Sequence, residues 1–197
     1  MNIYMEFKVV LSYLVYLIYV YFISTNIEYV FHRFMMHDDK YFYGKSHITH
    51  HKHTDNEMNL IYRNTKDYED IGEAENLIFE LPEVLGISVL LYLLVYLFYF
   101  FYPIKINVYF IILIPLIPLI YAIIMWNSIH PHIHYKCGKD YTPLSLPCDI
   151  TKYLAEKNSF VKWLVTNHKK HHIYKGDKKG NFSVTLPGAD FLYNTYN

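Results

Sequence analysis

Three long stretches of the chain contain no Asp, Glu, Lys, Arg or His, namely residues 9–27, 84–104 and 106–129. Each is about 20 residues long, which is the length at which an apolar helix crosses the hydrocarbon core of a bilayer. The pattern therefore predicts three membrane-spanning helices. Because only Lys105 separates the second stretch from the third, these two should form a hairpin that returns the chain to the side it came from.

The first apolar stretch continues without Gly or Pro into a polar segment, which predicts one helix over residues 4–31. His32 and His37 follow directly. A spacing of five residues advances about 140° beyond one full turn of an α-helix, so these two side chains do not share a face of a regular helix. A break near residues 35–37, or two different ions as targets, would reconcile them.

Composition supports a membrane protein, since 53% of the 197 residues are hydrophobic and 19% are aromatic. The length allows one domain, residues 1–197. Net charge is zero, so a nucleic-acid partner has no electrostatic support. We therefore predict an all-α integral membrane protein with about three transmembrane helices and a helical cap outside the membrane.

The positive charges predict the orientation. All of the 18 Lys and Arg residues except Lys8 and Lys105 lie in the segments that carry the histidines. Positive charge marks the cytoplasmic side of a membrane protein, so the cap should face the cytosol. Cys137 and Cys148 fall on that same reducing side and are predicted to be free thiols.

Ten of the 12 histidines fall into four spaced motifs. The motifs are H-x4-H (His32, His37), H-x2-H-H (His47, His50, His51), H-x3-H (His130, His134) and a second H-x2-H-H (His168, His171, His172). Residues three and four apart share one face of a helix, and imidazole is a common metal ligand. Two copies of one spacing predict a pair of metal ions.

The number of ligands narrows the kind of site. Ten imidazoles shared by two ions give about five each, so an octahedral ion would keep one position open, whereas structural zinc closes at four ligands. Imidazole also suits zinc, copper and nickel, so the residue types do not name the metal.

Further polar residues are candidates for orienting the ligand rings, as outer-shell groups commonly do. The candidates are Glu28, His53, Asn127, His132, Asn181 and Asp190. Capping or solvent contact would explain the carboxylates and amides among them equally well, and His132 is also an alternate ligand.

The second H-x2-H-H motif is predicted to lie on a capped helix. Asn158 and Ser159 supply the N-cap, and Leu164, His168 and His172 then follow one i+4 ridge. The C-terminal end of this ridge, with the histidines, should carry metal ligands, and the N-terminal end should pack against the rest of the protein.

Taken together and in this order, the motifs resemble those of the fatty acid hydroxylase superfamily. These membrane-bound histidine-motif oxygenases include fatty acid hydroxylases, sterol desaturases and carotenoid hydroxylases. The resemblance covers roughly residues 28–192, and residues 180–187 and 190–192 also resemble the terminal block of the family.

The resemblance implies that the ten histidines hold two iron ions, with zinc possible in a purified or crystallised form. It implies O2-dependent hydroxylation or desaturation of a C–H bond in a lipid such as a fatty acyl chain, sterol or isoprenoid. Electrons would come from a separate cytochrome b5-like or ferredoxin-like donor. In a eukaryotic cell the expected location is the endoplasmic reticulum membrane.

Departures from the family pattern leave the subgroup unassigned. Many members have further spans before the first motif, and this chain has His53-Thr54-Asp55 where fatty acid 2-hydroxylases usually have a Pro and Asp pattern.

Two functions of other classes are alternatives. A non-redox protein that binds or transports zinc, copper or nickel is one, although the apolar stretches lack the His, Asp and Glu of a transport path. A metal-dependent hydrolase is disfavoured because the chain has no H-E-x-x-H.

Overall fold

The computed structural model describes residues 3–60, 78–79, 81–102, 106–134, 144–173 and 179–197. The helices among them are α1 (Ile3–Val30), α2 (Phe42–His53), α3 (Leu81–Phe101), α4 (Val108–Ile133), α5 (Cys148–Lys157), α6 (Ser159–Ile173) and α7 (Ala189–Leu192). A π-helical segment, Phe31–Met36, continues α1. Within these described ranges the regular secondary structure is helical, and the one β-type pairing is an isolated bridge between Thr54 and Leu60. The all-α prediction is confirmed.

Three helices are long and apolar enough to cross a membrane: α1 with its π-helical continuation, α3 and α4. Their outward faces carry large apolar side chains, and Ile18, Phe101 and Ile117 are each more than 65% exposed (69%, 68% and 67%). An apolar surface of this extent is not stable in water. The three predicted spans are therefore present, and the protein is associated with a membrane.

Tyrosine hydroxyls join α1 to the other two spans. Tyr16 donates to the carbonyl oxygen of Ile111 at 2.7 Å, and Tyr19 donates to that of Leu94 at 2.9 Å. A hydroxyl in hydrocarbon needs a partner, so each bond fixes the position of one helix against its neighbour.

The cap packs on the ends of the spans through α5, α6 and the loop after α2. Met58 has a φ of 72° and is buried in a cluster with Ile129 and Leu164. The side-chain oxygen of Asn158 accepts from the amides of Phe160 and Val161 at 3.0 and 3.1 Å, so the predicted N-cap of α6 is confirmed. Helix α5 was not predicted.

The prediction of free thiols is wrong for Cys148, which is disulfide-bonded. The only other cysteine in the sequence, Cys137, lies outside the described residues. Disulfides are rare in reducing compartments, so this bond weighs against the cytosolic orientation that the charges favour. The orientation of the cap stays a prediction.

Gly44 allows α2 to contact the backbone of the segment that follows α1. A Cβ at this position would lie 2.8 Å from the carbonyl oxygen of Met35 and closer still to that of Asp38. Both neighbours are backbone atoms, which cannot rotate away. Only glycine fits here without a shift of α2.

We therefore expect Gly44→Ala to destabilise the protein by about 1–3 kcal/mol, the usual cost of overpacking. Thermal unfolding of the detergent-solubilised protein, followed by circular dichroism, measures this. Gly86→Ala is the matched control, because a Cβ at position 86 meets nothing within 4 Å. Equal melting temperatures for the two variants would contradict the close approach.

Candidate metal centre

Nine of the ten histidines in the motifs lie in two clusters, each with its candidate ligand atoms within 4.8 Å of one another. The first imidazole group comprises His32, His37, His47, His51 and His171. The second imidazole group comprises His50, His130, His134 and His172. Both lie where the ends of α1 and α4 meet α2 and α6.

The π-helical segment brings His32 and His37 into one group. The i→i+5 hydrogen bonding of a π-helix widens the turn, so residues five apart lie nearly above one another. The two ring centroids are 5.3 Å apart. The five-residue spacing of His32 and His37 would separate the two rings on an α-helix. The change to a π-helix over Phe31–Met36 lets both rings face one site.

Helix α2 contributes to both groups. His47 and His51, one turn apart, belong to the first group with ring centroids 4.6 Å apart. His50 belongs to the second, and its ring centroid lies 4.4 Å from that of His134. An H-x2-H-H motif on a helix thus divides its rings between two neighbouring sites.

Helix α6 divides its histidines in the same way. His171 belongs to the first group and His172 to the second, and the His172 ring stacks on His51 of the first group with centroids 4.1 Å apart. The tenth histidine, His168, is fully buried beside the second group, with its Nε2 3.0 Å from the Nε2 of His172. Counting His168, each site has five imidazoles at hand.

Backbone carbonyls orient three of the rings. The Nδ1 atoms of His32, His171 and His134 lie 2.6, 2.8 and 3.1 Å from the carbonyl oxygens of Phe182, Gly180 and Met58, respectively. A carbonyl only accepts, so each Nδ1 carries the proton and the Nε2 of the neutral ring keeps its lone pair. In His32 and His171 the Nε2 atoms contact other members of the first group.

The contacts inside the first group cannot all be hydrogen bonds. The Nε2 of His47 lies 3.1 Å from the Nε2 of His32 and 3.1 Å from that of His51. His32 has its proton on Nδ1, so His47 would have to donate to it, and a single N–H cannot serve both neighbours well. A cation between the nitrogens would satisfy every lone pair at once.

In the second group, both ring nitrogens of His50 and the Nε2 of His134 are buried without a hydrogen-bond partner. Buried polar atoms without partners are rare, because each costs about 1–3 kcal/mol. A metal ion would satisfy one nitrogen of His50 and the Nε2 of His134.

The distances between nitrogens fit an octahedral ion better than a tetrahedral one. The Nε2 contacts within the first group are 3.0–3.1 Å long. Nitrogens about 2.1 Å from one ion lie about 3.0 Å apart at 90° and about 3.4 Å apart at the tetrahedral angle. The rings are thus spaced like adjacent positions of an octahedron.

Burial keeps these rings neutral, and neutral imidazole is the form that binds metal. It lowers the pKa of His37 to about 2 and that of His134 to about 4. Burial, reinforced by neighbouring histidines, also lowers the pKa values of His47, His50, His51, His168 and His172. The pKa of His171 is lowered in the same way.

The predicted carboxylates contact backbone rather than rings. Glu28 accepts from the amides of residues 184, 185 and 186 at 2.6–2.8 Å and from the hydroxyl of Thr185 at 3.1 Å. Asp190 accepts from the amides of Phe182 and Ser183 at 2.9 and 2.6 Å. Both carboxylates therefore hold the segment 180–186, whose carbonyls orient His32 and His171.

The other candidates have varied positions. Asn181 is fully buried in segment 180–186, with a φ of 56°. Asn127 accepts from the amide of Phe79 at 2.8 Å. His53 and His132 lie outside both imidazole groups and are half-buried. The carbonyl acceptors were missed because every residue has one, so no residue type marks them.

An apolar cavity adjoins the first imidazole group. Its volume is about 50 Å³, and α1, α3, α4 and the segment 180–186 line it. His32 and Trp126 lie on its wall together with apolar residues of the spans such as Leu91 and Ile123. This volume is well below that of a typical small-molecule site, so the cavity is a narrow slot beside the rings. The candidate centre thus adjoins apolar space that extends between the spans.

We expect the purified chain to bind two metal ions, one at each imidazole group. His51→Ala and His50→Ala should each weaken one ion by at least tenfold, because each removes a ligand from a different group. Metal content and titration with Fe²⁺ under anaerobic conditions measure this. His132→Ala, outside both groups, is the control, and equal loss in that variant would contradict the assignment.

The metal-free protein should lose stability as the pH falls from about 6.5 towards 4. Below pH 6.5 histidines become protonated in the unfolded chain, whereas the buried rings of the folded protein stay neutral. Each such histidine therefore lowers the free energy of unfolding by about 1.4 kcal/mol per pH unit until the pH reaches its folded pKa. Denaturant titrations at several pH values measure the slope. His37→Gln should reduce the slope by one proton, and an unchanged slope would count against burial of a neutral His37.

The chain matches no described protein family, no curated protein and no solved structure. The structure itself shows a histidine-rich membrane protein with two groups of residues that could each hold a metal ion.

Proposed function

We propose that the chain is a membrane di-iron oxygenase of the fatty acid hydroxylase type that hydroxylates or desaturates a C–H bond of a lipid. One observation carries the proposal: two adjacent groups of buried imidazoles lie beside an apolar cavity between the spans. The order and spacing of the motifs, which resemble those of that superfamily, add support.

The ligand set favours a redox-active ion over structural zinc. Five imidazoles on an octahedral ion would leave one of six positions for a further ligand. Bound iron would supply the activation of O2 and the removal of hydrogen from an unactivated carbon. The two groups contain only histidines, so they offer no carboxylate as the general base of a hydrolase.

The protein residues have three tasks. The imidazoles would hold the ions. The carbonyl oxygens of Gly180, Phe182 and Met58 accept hydrogen bonds from three of these rings and so fix their orientation. The apolar wall of the narrow cavity would exclude water and hold a short segment of an alkyl chain beside His32 and Trp126. Few polar groups line the cavity, so a hydrocarbon chain is the substrate part that matches it.

The remaining partners follow from the proposed reaction. Electrons would come from a separate cytochrome b5-like or ferredoxin-like protein. We propose a cap that faces the cytosol, as the charge distribution favours. In a eukaryotic cell the protein would reside in the endoplasmic reticulum membrane.

Cells that express the chain should accumulate an oxidised lipid that carries ¹⁸O when grown under ¹⁸O2, or an additional double bond without ¹⁸O. His171→Ala should abolish this product, because it removes a ligand of the first group. His132→Ala should retain it. Lipid mass spectrometry of the three strains, with metal content measured alongside, is the test.

The two proposals for this metal centre give opposite outcomes. If the wild-type chain binds two ions but produces neither oxidised nor desaturated lipid in the presence of a reductant, the oxygenase proposal fails. The non-redox metal-binding or transport function would then be favoured.

A further inference from the structure

We propose that the groove between α1 and α3 is the lateral path by which a single alkyl chain passes from the bilayer into the cavity beside His32. The inference rests on the proposed function for its claim that the cavity receives a substrate. The groove has a volume of about 400 Å³, and its lining is mostly apolar. It lies on spanning helices, so the molecules that meet its opening are lipids.

A thin wall of side chains separates the groove from the cavity. Ile27, Phe31 and Ile87 line both spaces. Phe31 is half-buried at the start of the π-helical segment. Rotation of such side chains is fast compared with motion of packed backbone, so the two spaces can join without separating the helices.

Gly86 keeps the groove open in the middle. It lies in the span α3 and lines the groove, and a Cβ there would meet nothing within 4 Å. Glycine inside a helix costs about 1 kcal/mol relative to alanine. No close neighbour requires glycine at this position, unlike Gly44. The missing side chain instead leaves space for a ligand.

A second groove, between α1 and α4, also touches the cavity, but its shared wall is rigid. Pro118, Thr185 and Leu186 line both spaces. The backbone of residues 185 and 186 is held by the carboxylate of Glu28 at 2.6 and 2.8 Å. Opening this wall would break buried charge-assisted hydrogen bonds, which are about twice as strong as neutral ones. The α1–α3 side is therefore the easier route.

Tryptophan fluorescence tests the path without turnover. Trp126 lines the cavity and is 2% exposed, and the chain has one other tryptophan, Trp163. In a Trp163→Phe background, the full chain is loaded with zinc, which is not redox-active, and reconstituted in phosphatidylcholine vesicles. Dibromostearic acid is the single-chain probe, and dibrominated phosphatidylcholine at the same bromine content reports quenching from the surrounding bilayer.

The fatty acid should quench Trp126 more strongly than the phospholipid does. Gly86→Phe should remove this additional quenching, and Val89→Phe should retain it, because residue 89 is 69% exposed and does not line the groove. Leu90→Phe, in the same groove, is the second blocking variant if Gly86→Phe does not fold. Binding of two zinc ions confirms the fold of each variant.

Two results would overturn the path. Additional quenching that survives both blocking variants but is lost in Ile117→Phe would assign the route to the α1–α4 groove. An absence of additional quenching in the parent would mean that no chain reaches the cavity. Because zinc-loaded protein is used, a failure of lipid oxidation with iron leaves this result untouched, and the reverse also holds.

Discussion

The structure depends on one electrostatic constraint: buried neutral imidazoles approach one another with lone pairs turned inward, and a shared cation is the partner that would satisfy them. Most rings in the two groups are held neutral by burial or oriented with a lone pair inward, and the nitrogens approach to 3.0–3.1 Å. Without a positive charge between them, at least one of the two contacts of the His47 Nε2 is neither a hydrogen bond nor solvated. With one, the same contacts become the edges of a coordination polyhedron.

The rest of the fold serves this requirement at several levels. Gly44 brings α2 against the backbone after α1, so that histidines from both segments meet in one group. Glu28 and Asp190 fasten the segment 180–186 by its amides, and that segment in turn offers its carbonyls to the rings. The spans therefore do more than anchor the protein, since the end of α1 both carries ligands and binds the segment that orients them.

Sequence reasoning predicted the parts of this arrangement that residue type and spacing determine. Runs without charge marked the three spans, and the capping amide of Asn158 marked α6. It could not predict the π-helical segment, because one widened turn has no compositional signature. The division of α2 between two groups was also open, since His47, His50 and His51 share a broad face and only the neighbouring helices decide which ring meets which site. The prediction of a free Cys148 relied on compartment rather than geometry, and it was wrong.

The dependence on segment 180–186 affects the order of events during biosynthesis. Four of the five rings in the first group precede residue 52, yet two of the five are oriented by carbonyls of residues 180 and 182. A ribosome therefore delivers most of the ligands long before the groups that align them. The first group is therefore complete and aligned only after this late segment has emerged, and until then four of its imidazoles lie in a chain whose final fold has not formed.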